Sequence, residues 1–200
     1  MLRIICFTSL TLFFIFVFTP LKLTAQYIVE PEEYCIYSTI IDELYNGSNV
    51  ELVIIRDCTG LDTSLDSLED DLTYLHESIM RLHHDTTSDF KAKNIHSYTL
   101  SNFFNQRLDN KLISEDELSE IFDNGGWKDY YSKYPRSNGI LTLSRVGFNS
   151  DKTQCLVYVG NQESKDLAEG FYFFMNKQAH GVWVVQDKKR IWGSWHIEDR

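Results

Sequence analysis

Between Gly139 and Trp192 four apolar stretches follow one another, separated by short polar turns: GILTLSRVGF, TQCLVYVG, GFYFFMNK and GVWVVQ running on to RIW. Successive side chains of a strand point to opposite sheet faces, so alternation assigns each residue a side. In the first stretch Ile140, Ser144, Val146 and Phe148 share one face, and Leu141, Leu143 and Arg145 the other. Cys155, Val157 and Val159 then oppose Leu156 and Tyr158, and Phe171, Phe173 and Met175 oppose Tyr172 and Phe174. Val182 and Val184 oppose Trp183 and Val185. Short connections such as Asn149-Ser150-Asp151-Lys152 predict an antiparallel four-strand meander. Both faces carry large groups, so helices are expected over one face, with the other partly covered or forming a groove.

The preceding chain supplies helices. Pro31-Glu32-Glu33 suits a first helical turn, and Tyr34, Tyr37, Ile41, Leu44 and Tyr45 recur at helical spacing until Asn46-Gly47. Asn46-Gly47-Ser48 also forms a short glycosylation sequon. Val50 to Ile55 reads as a buried strand. Ser67 with Asp70 resembles a capping box opening a helix through Leu68, Leu72, Leu75, Ile79 and Leu82, with His83, His84 and Asp85 at its end and Thr86 to Asn94 prolonging it. Lys111-Leu112-Ile113 predicts a minor strand, Ser114 with Glu117 a second capping box, and Trp127 to Tyr134 a short helix stopped by Pro135. No internal repeat or low-complexity linker divides residues 26–200, which are expected to form a single α+β domain.

Residues 1–25 stand apart. Arg3, a mostly apolar run from Ile4 to Phe18 and Leu23-Thr24-Ala25 match a signal peptide cut after Ala25. The alternative is an uncleaved membrane anchor, against which the polar residues and Pro20 in the run count. Cleavage leaves 17 basic and 29 acidic side chains, a formal −12. That charge excludes nucleic acid as a natural partner, because phosphate binding needs clustered Lys and Arg. No stable membrane insertion is expected after cleavage. Three cysteines remain, and in an oxidising compartment Cys35 and Cys58 either form a bridge worth roughly 3 kcal/mol or stay as thiols. Cys155 reads as strand packing, with nothing nearby in sequence to lower its pKa.

Catalytic signatures are sparse. His76 and His83 lie about 10.5 Å apart along an ideal helix, too far to share one zinc ion. No metal site is expected; His83 or His84 with Asp85 and His96 is the alternative. Asp62 to Asp66 opens like a calcium loop, but Ser67 and Thr73 replace the required glycine and glutamate. Nucleophile-elbow, phosphate-loop and dinucleotide signatures are lacking, and no cofactor is expected. Arg145 inside an apolar strand needs a carboxylate partner or an exit to water. It either forms a structural ion pair or binds an anion in a groove beside Tyr158, Asn161 and Tyr172.

The runs Tyr134-Pro135-Arg136-Ser137-Asn138-Gly139-Ile140, Leu143-Ser144-Arg145-Val146-Gly147-Phe148-Asn149 and Leu156-Val157-Tyr158-Val159-Gly160-Asn161-Gln162 resemble an uncharacterised family of secreted bacterial single-domain proteins. The segments Asp89-Phe90-Lys91-Ala92-Lys93-Asn94 and Leu112-Ile113-Ser114 extend the likeness over most of the chain after residue 25. The resemblance implies secretion and a single-domain fold and supplies no catalytic residues. Cys155 departs from the small residue of that pattern. The expected protein is therefore a secreted or periplasmic, non-enzymatic module that binds a protein or small ligand. The alternative is an envelope hydrolase whose acid–base residues meet in a groove beside the sheet, with or without a metal.

Overall fold

The computed structural model describes residues 28–61, 70, 72, 73, 75 and 81–194. The proposed leader peptide, the Ser67 capping box, the calcium-like loop from Asp62 to Asp66, and His76 lie outside these residues.

The first helix, α1, spans Pro31–Leu44. Proline sits at its start, where its missing N–H costs nothing, and the Glu33 carboxylate accepts from the Glu30 backbone N–H at 3.0 Å. Strand β1 (Leu52–Arg56) follows. A second described helix, α2, covers His84–Lys93 and is followed by β2 (Asp109–Ile113). Helices α3 (Glu115–Asn124) and α4 (Trp127–Lys133) come next, and Ser114 caps α3 by accepting from the Glu117 N–H at 3.2 Å. The remaining strands are β3 (Ile140–Leu143), β4 (Gly147–Phe148), β5 (Gln154–Gln162), β6 (Ala168–Lys177) and β7 (Trp183–Ser194).

All seven strands of the described residues join one sheet in the order β2-β1-β3-β5-β6-β7, with β4 paired to β5. The fold is α+β, and the sheet is mixed. The β3-β5, β5-β6 and β6-β7 pairs are antiparallel, whereas β1 lies parallel to both β2 and β3. The meander thus holds for β5-β6-β7, and the two parallel pairings of β1 at the other end correct the expectation of an antiparallel sheet. Parallel neighbours need long crossovers, and a strand's own residues do not reveal which distant strand lies beside it.

Alternation places Val53, Ile55, Leu141, Leu143, Val157, Val159, Phe171 and Phe173 on the face covered by α1. On the opposite face Leu156, Tyr158, Tyr172 and Phe174 pack with Phe90 of α2 and with Leu72, Leu75 and Leu82. Ile54, Ile113 and Ile140 meet Leu118 and Ile121 of α3, Tyr130 of α4 and Tyr134 just beyond it on that second face. Both faces are therefore covered.

The predicted first strand of the meander is in fact two. Ser144, Arg145 and Val146 break it, and the face assignment reverses there: Val146 and Phe148 join Leu141 and Leu143 on the α1 side. The Asn94 side chain bonds the released backbone of Arg145 in both directions, its Oδ1 accepting from the N–H at 2.8 Å and its Nδ2 donating to the carbonyl at 3.1 Å. Gly147 allows the close approach of α2, since an added Cβ would lie 2.4 Å from Phe90 Cβ and 2.5 Å from its Cα and N. The helical pattern also divides. Leu82 and His83 interrupt it, so His84 and Asp85 begin α2 instead of ending the preceding helix. There the Asp85 charge, and not an imidazolium, complements the helix pole.

Candidate functional site

Where the end of α1 leaves the sheet, a cleft of about 490 Å³ opens on the α1 face. Its apolar lining includes Leu44, Tyr45, Val50, Val159 and Phe171. The polar lining includes Ser137, Asn138, Asn161, Glu163, Glu169 and Lys188. Two strand registers bring the polar groups together. Asn161 of β5 pairs with Glu169 of β6, and both follow the parity of Val159 and Phe171. Lys188 pairs with Phe173 across β6 and β7, after a register shift at Gly170/Phe171.

Glu163 stands at the head of the β5–β6 hairpin. Its backbone is held from both sides, the N–H donating to the Leu167 carbonyl at 2.9 Å and the carbonyl accepting from the Tyr131 hydroxyl at 2.7 Å. Asn161 Nδ2 donates to its carboxylate at 2.9 Å, and Asn138 bonds it as well. Burial, reinforced by the negative charge of Glu169, nevertheless holds Glu163 above the ordinary carboxylate range. Lys188 moves the opposite way. Its ammonium lies 3.8 Å from the centroid of the Phe171 ring, and desolvation lowers its pKa against the pull of Glu169 and Glu43. Lys188 and Glu169 form no ion pair among the described residues. Asn161 Oδ1 is buried and has no hydrogen-bond partner among them. It faces Gly139, whose φ of +83° and close approach to the Gln162 carbonyl exclude a side chain.

The structure disperses the residues expected to form a site. Only Asn161 lines the cleft. Tyr158 and Tyr172 are cross-strand partners on the other face, 0% and 1% exposed, with Trp192 Nε1 donating to the Tyr158 hydroxyl at 3.1 Å. Arg145 is 4% exposed and bonds Glu33, itself 0% exposed, through Nε at 3.0 and 3.1 Å and through Nη2 at 2.7 Å. Burial opposes the Arg145 charge, but the Glu33 hydrogen bonds override it and raise the guanidinium pKa. Its electrostatic demand is met inside the fold, in the manner of the ion-pair reading.

The histidine alternative is likewise not assembled: among the described residues no group of three or more His, Cys, Asp or Glu side chains is placed to hold a metal ion. Asp85 instead accepts from the backbone and hydroxyl of Ser150, at 2.9 and 2.7 Å. Cys35, Cys58 and Cys155 are free thiols, so the Cys35–Cys58 bridge is not formed. No helix among the described residues is long and apolar enough to cross a membrane.

Sequence reasoning missed Asn138, Glu163, Glu169 and Lys188. One signal was available: strict alternation puts Asn161 with Val159 and opposite Tyr158, so those two could not share a groove. Compared with protein-family models, with curated proteins and with solved structures, the chain finds no match, so the reading of the cleft rests on its own residues.

Proposed function

We propose that this is a secreted or periplasmic, non-enzymatic binding module whose ligand is a small organic molecule held in the α1-side cleft. The observation that carries the reading is the company Glu163 keeps. A carboxylate raised above its ordinary range shares a concave, partly apolar space with a second acid and an exposed lysine whose ammonium rests on the Phe171 ring. Perturbed titratable groups gathered in a cleft are a signature of binding and catalytic sites. The cleft volume of about 490 Å³ suits a small organic molecule.

Asn49 lies exposed at the cleft lining, so Asn49→Trp obstructs the space without disturbing the core. Protein purified gently from its native envelope is extracted for ligand mass spectrometry, and a metabolite panel is screened by thermal shift. The wild type is expected to carry or take up a ligand that Asn49→Trp does not. Equal uptake by both proteins, or none by either, overturns the reading.

A second reading, acid–base hydrolysis in the same cleft, draws on the opposed shifts of Glu163 and Lys188, which bring an acid and an amine nearer to neutral-pH titration. It requires turnover of an ester, glycoside or peptide substrate that Glu163→Gln abolishes.

A further inference from the structure

The ligand's chemical class follows from the charges lining the cleft, and this step rests on the binding reading above. Both signs of charge occur there: Glu169 attracts Lys188 through space without a contact ion pair among the described residues, and Arg136, also at the lining, is paired with Glu51 at 2.6 Å. Glu163 is anchored on one side by Asn138 and Asn161, shares the cleft lining with Glu169 and feels its negative charge. Two neighbouring acids repel, and a cation between them relieves the repulsion. The Lys188 ammonium rests on the Phe171 ring, which supports its charge from one side and leaves its remaining donors for an anion. Between these poles Val50, Val159 and Phe171 provide apolar surface.

We propose that the cleft takes a small zwitterion, with its ammonium between Glu163 and Glu169, its carboxylate on Lys188 and an apolar body over Val50, Val159 and Phe171. A free apolar amino acid and a short apolar peptide share this chemistry. They differ in the distance between the charged ends, which a direct comparison separates. A purely cationic ligand would leave Lys188 facing it with like charge, and a purely anionic one would meet two carboxylates.

Calorimetric titration of the purified protein tests the assignment with leucine, leucyl-leucine, leucinamide and N-acetylleucine. Leucine or the dipeptide is expected to bind, and whichever binds more tightly identifies the charge separation the cleft accepts. Blocking either end should weaken binding at least about tenfold, the scale of one lost charge-assisted hydrogen bond. Lys188→Met should abolish the difference between leucine and leucinamide. The double variant Glu163→Gln/Glu169→Gln should abolish the difference between leucine and N-acetylleucine. The dipeptide's amide and acetyl forms serve identically if the dipeptide is the tighter ligand. A blocked analogue that binds as tightly as its parent overturns the proposal. So does failure of both parents to bind. If Asn49→Trp meanwhile eliminates uptake of some other molecule, the binding reading survives and the zwitterion alone falls. If it eliminates nothing, both fall.

Discussion

Arg145 and Glu33, 112 positions apart, form a buried two-point ion pair that ties the first turn of α1 to the break between β3 and β4. Glu33 also accepts from the Val146 N–H at 2.8 Å and the Glu30 N–H at 3.0 Å, while the single Tyr37 hydroxyl proton is shared between the Ser144 carbonyl at 2.8 Å and Glu33 at 3.3 Å. The Arg145 guanidinium also lies 4.6 Å from the centre of the Tyr98 ring. A buried charge is tolerable when it is paired and hydrogen-bonded, and here Arg145 Nε and Nη2 both donate to the Glu33 carboxylate.

Removing one partner strands the other. Arg145→Met should cost about 3–5 kcal/mol of unfolding free energy, measured by denaturant titration. The double variant Glu33→Gln/Arg145→Met should cost less than the sum of its two single variants by at least about 1 kcal/mol. Additive costs would show that the two residues do not act as one energetic unit.

On the opposite face, Glu117 anchors a surface cluster. It accepts from Lys111 at 2.8 Å and from the Tyr134 hydroxyl at 2.5 Å, and pairs with Lys133 at 2.8 Å. Burial works against its charge, but the hydrogen bonds from Lys111, Lys133 and Tyr134 win and lower its pKa to about 2. For an acid whose pKa falls on folding, the stabilisation is present above its unfolded value, 4.5, and is lost as pH falls through about 2. Thermal melts should therefore separate wild type from Glu117→Gln at pH 6 and bring them together across that interval. A gap that does not narrow in acid would dissociate the cluster from ionisation.

Glu163 predicts the reverse sign. Its pKa is raised on folding, so its charged form costs stability, and the cost grows as pH rises through the folded value. Glu163→Gln should raise the melting temperature at neutral pH, with the gain shrinking as the pH falls through the folded value and vanishing below 4.5, its unfolded value. A destabilised variant at neutral pH would mean that the Asn138 and Asn161 bonds outweigh burial and Glu169. A binding residue maintained at some expense of stability fits a functional site.

The thiols should react in order of access. Cys35 is exposed, Cys58 is half-buried, and Cys155 is fully buried with its thiol pKa pushed well up by desolvation. Under native conditions a maleimide should label Cys35 first and leave Cys155 unmodified until denaturant is added. Labelling of Cys155 at the rate of Cys35 would contradict the packing of β5 against α1.

Local patterns carried much of the fold because they depend on near neighbours. The Pro31 start, the Ser114 cap and the alternation through β5 and β6 each reflect backbone geometry over a few residues, and the structure reproduces them. The cleft was barely legible. Lys188 sits in the charged run Asp187-Lys188-Lys189-Arg190, which reads as a solvated edge until the register shift in β7 sets its ammonium on Phe171. Glu163 looks like a turn residue until Tyr131 of α4 and the Leu167 backbone hold it beside Glu169.

By itself the sequence determined most of the described helix and strand segments, though not the break at Ser144–Val146 or the separate start of α2, and that Arg145, set among apolar residues, needs a partner. Tertiary structure alone decided that this partner is Glu33, that β1 lies parallel between β2 and β3, and that Asn161 meets Asn138, Glu163, Glu169 and Lys188 in one cleft. The physical reason is range. Periodicity and capping act within a turn or a strand, whereas pairing, register and burial depend on segments brought together from distances the local pattern does not encode.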